Sequence, residues 1–194
     1  MKRVTLFLIA FALSLSAFAQ EGHILFKDVP VTGTVYDFTE KMEKEGYVLN
    51  SVIDGIVLMR GKFAGNNCNL YLVPTPTSET VWKVMVAFDS ESSWYSLKRA
   101  YEDLKGALTA KFGKPAKDHH SFVSPYRDGD GFELLALSLS KALYAVLWET
   151  DNGAILLRIS ATSSSSGWIS INYEDEAGVA LNRKEKNTII SSDL

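Results

Sequence analysis

Two stretches of the chain share one layout. "GKFAGNNCNLYLVP" (Gly61 to Pro74) and "ETDNGAILLRIS" (Glu149 to Ser160) each pass from a strand-like segment through a glycine turn into alternating apolar residues. In the second, Asn152-Gly153 is the strongest short hairpin signal, a turn in which both residues are expected at positive φ. Ile155, Leu157 and Ile159 then fall on one face of a strand and Leu156 and Arg158 on the other. In the first, Cys68, Leu70 and Leu72 alternate in the same way. A strand of this kind has one apolar face and must bury it against another layer. The chain is therefore constrained to antiparallel sheet with something packed on one side.

The packing partners are legible as two helices. Thr34 to Glu45 has a capping Thr34 with Asp37 three residues on, an apolar stripe of Val35, Phe38 and Met42, and Gly46 as its stop. Ser93 to Phe112 repeats Leu97, Tyr101, Leu104, Leu108 and Phe112 at helical spacing, and Gly113 and Pro115 end it. Gly106 inside it suggests close packing on a sheet. Strands are expected at 23–29, 48–53 and 56–60 (around Asp54-Gly55), 68–73, 81–88, 132–139, 143–148, 154–160 and 168–173. Residues 116–131 read as a polar connection, and the tail after Glu174 as a short helix or a docked end. Helix-then-strands occurs twice, and the units close on "VAFD" (Val86 to Asp89) and "INYE" (Ile171 to Glu174). The expected fold class is α+β: two similar helix-plus-antiparallel-sheet units, duplicated, with Cys68, Leu70 and Leu72 matching Ile155, Leu157 and Ile159. The expected organisation is residues 1–19 as a signal peptide, 20–89 as the first unit with an N-terminal strand, and 90–194 as the second unit and tail.

The signal peptide rests on Lys2 and Arg3, an apolar run from Val4 to about Phe18, and Ala17 and Ala19 in an A-x-A site. The run is short for a membrane span, which takes roughly 20 apolar residues. Gln20, not cysteine, follows the cut, so no lipid attachment is expected. The expected location is the periplasm or the outside of the cell, with no transmembrane segment in the mature chain. Cleavage removes two of the 20 basic residues and none of the 23 acidic ones, leaving 18 against 23 and a net charge of −5. That balance offers no footprint for nucleic acid. The single cysteine, Cys68, cannot form an internal disulfide and reads as a small buried hydrophobe.

"FKDVPVTGTVYDFTEKMEKEGY", "LMRGKFAG", "LTAKFGKP" and "WETDNGAILLRIS" resemble blocks shared by small exported proteins of anaerobic gut bacteria, a family with no assigned activity. That resemblance implies no catalytic residue. In element order the repeated unit is also similar to the tandem repeats of β-lactamase inhibitor proteins, a likeness of fold that does not establish function.

Catalytic and cofactor motifs are not in evidence. "DGDG" (Asp128 to Gly131) would need oxygen ligands at the fifth and twelfth positions of a calcium loop, where Phe132 and Leu139 stand. His119 and His120 are adjacent and would point apart in a strand; with His23 remote in sequence, no zinc spacing exists, and loop positions in solvent are expected. There is no nucleophile elbow and no phosphate-binding glycine loop. Catalytic, cofactor and metal residues are accordingly expected to be none. Trp148, Trp168, Tyr126 and Arg127 are residue types enriched in binding hot spots, although packing against the sheet is the commoner use of such aromatics. The expected function is non-catalytic binding of an unidentified protein or envelope component. The alternative is an envelope or secreted hydrolase whose site has no recognisable motif.

Overall fold

The computed structural model describes residues 22–193, so the expected signal peptide lies outside the described residues. In chain order the elements are β1 (Leu25–Phe26), β2 (Val29–Pro30), α1 (Val35–Lys44), β3 (Val48–Ile53), β4 (Ile56–Phe63), β5 (Asn66–Pro74), β6 (Val81–Phe88), α2 (Trp94–Phe112), β7 (Lys117–Phe122), α3 (Glu133–Ser138), β8 (Ala142–Thr150), β9 (Gly153–Ser163), β10 (Ser166–Asp175) and α4 (Glu176–Asp193). The fold is α+β. The expectation of antiparallel sheets resolves into one eight-stranded antiparallel sheet, in the order β3-β4-β5-β6-β10-β9-β8-β7, plus the small β1-β2 hairpin. The two halves of the chain thus meet at the β6–β10 pairing in the middle of the sheet.

Alternation sorts the sheet into two faces. Met59, Leu70, Val86, Ile171, Leu157 and Val146 stand directly opposite one another from β4 to β8, and all are fully buried. A second row, Val57, Leu72, Val84, Tyr173, Ile155 and Trp148, runs beside it on the same face. Phe38 and Met42 of α1, Leu97, Tyr101 and Leu108 of α2, and Leu134 of α3 belong to the same core. Each such side chain contributes roughly 1.5–3 kcal/mol by leaving water, so this face supplies the main driving force of the fold.

Local chemistry sets the element ends. The Thr34 hydroxyl accepts from Asp37 N at 3.1 Å, as expected of the cap. Asp54 and Gly55 both take positive φ, 51° and 78°, and make the two-residue β3–β4 hairpin. The β8–β9 turn differs from its expectation: Asp151 and Asn152 are the connecting residues, and of the Asn-Gly pair only Gly153 has positive φ. Glycine is required there for space, since a Cβ would stand 2.1 Å from the Glu174 carbonyl oxygen of the neighbouring strand.

Other expectations are corrected. The strand expected over 132–139 is instead the helix α3, Glu133–Ser138, with Phe132 and Leu139 at its caps; a short apolar run carries too little periodicity to separate the two. Residues 117–122 form strand β7 inside what reads as a polar connection, because a solvated edge strand carries no apolar alternation. The first strand, expected over 23–29, is broken into β1 and β2. The tail forms an 18-residue helix, far longer than expected. Gly106 faces open space, where an added Cβ would meet nothing within 4 Å, so it does not serve close packing. Among the described residues no helix is long and apolar enough to cross a membrane.

Candidate functional site

The face of the sheet opposite the core is the candidate binding surface. Alternation puts Leu58, Tyr71, Met85, Asn172, Leu156 and Leu147 in one row there, in register from β4 to β8. Five of the six are half-buried and lie outside the core cluster; the sixth, Asn172, is buried to 7% exposure between Met85 and Leu156. Its Oδ1 has no hydrogen-bond partner among the described residues. The next row is polar and small: Arg60, Asn69, Ala87, Ser170, Arg158 and Ala145. An apolar stripe bordered by arginines and amides has the composition of a protein interface.

Fixed ion pairs border the stripe. Arg60 makes a two-pronged contact with Asp89, at 2.6 and 2.7 Å, and also donates to Asn69 Oδ1 at 3.2 Å. The guanidinium holds the Asp89 carboxyl below the usual carboxylate range. Lys83 and Glu174 face each other across β6 and β10 at 2.9 Å. Arg158 is exposed beside Ser170.

The residues singled out in the sequence are dispersed. Trp168 is half-buried on β10 and shares the outer face with Ser170 and Asn172 by alternation. Trp148 is a core residue, 1% exposed, and its Nε1 donates to the Gly113 carbonyl at 3.0 Å. Tyr126 and Arg127 lie in the connection between β7 and α3 and belong to none of the outer-face rows. Cys68 is fully buried, and burial raises its thiol pKa.

The histidine expectation needs correction. His119 and His120 are in strand β7, not in a loop, and register with Ala145 and Tyr144, so they project to opposite faces. The His120 ring stacks on Tyr144 at 4.7 Å. His23 is tied down by Asp175, Nδ1 to Oδ2 at 3.0 Å. That fully buried carboxylate also accepts from Ile24 N at 3.1 Å and Gly178 N at 2.8 Å, so it joins the start of the described chain to the start of α4.

In "DGDG" the carboxylates are consumed locally. Asp130 accepts from Arg127 N and Phe132 N, both at 2.9 Å, Glu133 accepts from Gly129 N at 2.8 Å, and Asp128 is paired with Lys98 at 2.5 Å. Among the described residues no three His, Cys, Asp or Glu side chains come together as a metal site would require.

Of the outer-face stripe the sequence singles out only Leu156, on the face opposite Ile155, Leu157 and Ile159, although all its members fall on expected strands. The signal is present: Tyr71 and Met85 alternate against the buried set just as Leu156 does. No protein-family model, no curated protein and no solved structure was found to match the chain.

Proposed function

We infer that the protein is exported and works as a non-catalytic binding module for a protein or envelope component, engaged through the outer face of its sheet. One observation carries this reading: the row Leu58, Tyr71, Met85, Leu156 and Leu147 crosses the sheet outside the core, with Arg60 and Arg158 in the row beside it. A core face alone would leave no reason for apolar residues at these positions. Eight strands at about 4.8 Å spacing and strands of eight residues at about 3.3 Å rise span about 900 Å². A specific interface takes about 800 Å² from each partner, so this one face is large enough. Tyrosine, tryptophan and arginine, here Tyr71, Trp168 and Arg158, are the residue types that anchor such contacts.

The surface is part of a proposed duplication, with 34–89 and 93–175 as repeats. Its support is register. Leu70 opposes Val86 and Leu157 opposes Ile171, while Met59 opposes Leu70 and Val146 opposes Leu157. Placing Val86 on Ile171 therefore places Leu70 on Leu157, Met59 on Val146 and "VAFD" on "INYE". The strand order 3-4-5-6 is mirrored by 10-9-8-7 about the β6–β10 pairing. A duplicated sheet presents two related halves of one surface, which suits an extended contact.

The binding reading is tested by paired charge insertion on the outer face. Tyr71→Asp with Leu156→Asp is expected to abolish retention of a partner from the producing cell's envelope or culture fluid while leaving the circular dichroism spectrum unchanged. Equal retention by wild type and variant would remove the outer face from the account. The export reading is tested by intact mass of the native protein. A mature chain starting at Gln20 is expected, and one retaining residues 1–19 refutes it.

A further inference from the structure

The two edges of the sheet are built differently. The β7 edge carries Lys117, Asp118, His119 and His120, charged and polar side chains of the kind that blunt an edge against further pairing. The β3 edge, "VLNSVI", carries no charge at all, and Val48, Leu49, Val52 and Ile53 are 68%, 46%, 59% and 63% exposed. An uncharged apolar edge leaves a row of backbone donors and acceptors open to another strand.

A groove lies beside this edge. Leu49 opposes Met59 and Val52 opposes Val57, so both point to the core side of the sheet although they are three residues apart. The register shift between Leu49 and Ser51 makes this possible, since Asn50 is an extra residue that resets the alternation. Leu49, Val52 and Val57 line a cavity of about 610 Å³ together with Val35 and Tyr36 of α1. Trp82 also lines it, and its Nε1 is buried with no hydrogen-bond partner among the described residues. The charges around the groove are one-sided: Glu40, Glu43, Asp54 and Glu79 against Lys186.

We propose that β3 is a strand-addition site for an extended segment of another protein whose groove-facing side chains, every second residue along it, are apolar and basic by turns, so that the apolar ones enter the groove and the lysines or arginines between them meet the carboxylates of α1 on the same side. Backbone pairing along β3 gives affinity, and the groove and its acids give the choice of segment. The excess of carboxylates selects a cationic strand over an anionic one. It also disfavours a second copy of this chain: two β3 strands paired about a two-fold axis would bring both α1 helices, each with Glu40 and Glu43, to the same side of the junction. This site is separate from the outer face and goes beyond the function proposed from it.

The test uses a labelled, end-blocked nine-residue peptide with valine and lysine by turns at the odd positions and threonine at the even ones, so that valine and lysine share one face, with glutamate replacing lysine in the control, titrated against the mature chain by fluorescence anisotropy. The lysine peptide is expected to bind at least about tenfold more tightly than the glutamate peptide, and to slow amide exchange at residues 48–53. Val52→Lys, and separately Glu40→Lys with Glu43→Lys, are expected to weaken it by about tenfold or more. All three positions are exposed, so the fold does not depend on them. Tyr71→Asp with Leu156→Asp is expected to leave this affinity unchanged, which separates failure here from failure of the outer-face reading. Equal affinity for the two peptides, no binding of either, protection elsewhere than β3, or a wild-type dimer with β3 protected would each overturn the proposal.

Discussion

Leu157→Ala and Leu156→Ala compare neighbours on one strand that the sheet sends to opposite faces. Leu157 is fully buried between Ile171 and Val146 in the central core row. Truncation removes three carbons, worth about 0.8 kcal/mol each on transfer, or about 2.4 kcal/mol together. A position paired on both sides within an eight-stranded sheet cannot collapse into the space, and a cavity contribution raises the expected cost to about 3–4 kcal/mol. Leu156 loses the same three carbons but is only half-buried, so about 1 kcal/mol is expected. With a urea slope of about 2 kcal/mol/M, the midpoints should fall by about 1.5–2 M and about 0.5 M respectively. Equal shifts for the two variants, or a Leu157→Ala cost below about 1 kcal/mol, would refute the assignment of faces on which both proposals depend.

Gly106→Ala is expected to stabilise by about 0.5–1 kcal/mol, because the glycine is mid-helix and its Cβ would meet open space; calorimetry should show a higher melting temperature. Cys68 is expected to react with a thiol reagent only after denaturation, since it is fully buried and its thiol pKa is raised; rapid labelling of the folded protein would contradict its placement. Burial pushes the Tyr173 phenol up to about 12 and raises those of Tyr47 and Tyr101. These groups hold their protons more tightly folded than unfolded, so their contribution is intact below about pH 10 and is lost as pH rises through the folded values. Alkaline unfolding between about pH 10 and 12, with cooperative appearance of tyrosinate absorbance, is the expected result.

The elements with strong periodicity are legible from residues alone. The Thr34 cap, the Leu97–Tyr101–Leu108 stripe, the Asp54-Gly55 turn and the buried alternation of Cys68, Leu70 and Leu72 all have local causes. What escapes has physical reasons too. β7 is polar because it is a solvated edge, α3 is too short for its period to be read, and Gly106 sits on an exposed helix face where a glycine has no packing role. The candidate surfaces depend on which strands become neighbours. Tyr71, Met85 and Leu156 are far apart in the chain and share a row only through the β5–β6–β10–β9 order. The groove beside β3 likewise needs the register shift at Asn50, which no local pattern announces.

Partner binding by the outer face is decided by capture with immobilised mature protein from the producing cell's envelope and culture fluid, wild type against Tyr71→Asp with Leu156→Asp. A specific partner is expected on the wild type, at least about tenfold depleted on the variant, with slowed amide exchange at the outer-face strands when that partner is added back. Undiminished capture by the variant would contradict it, as would turnover of a cell-wall, glycan or peptide substrate that persists in the outer-face variant and disappears when Glu40 and Glu43 are changed to Gln.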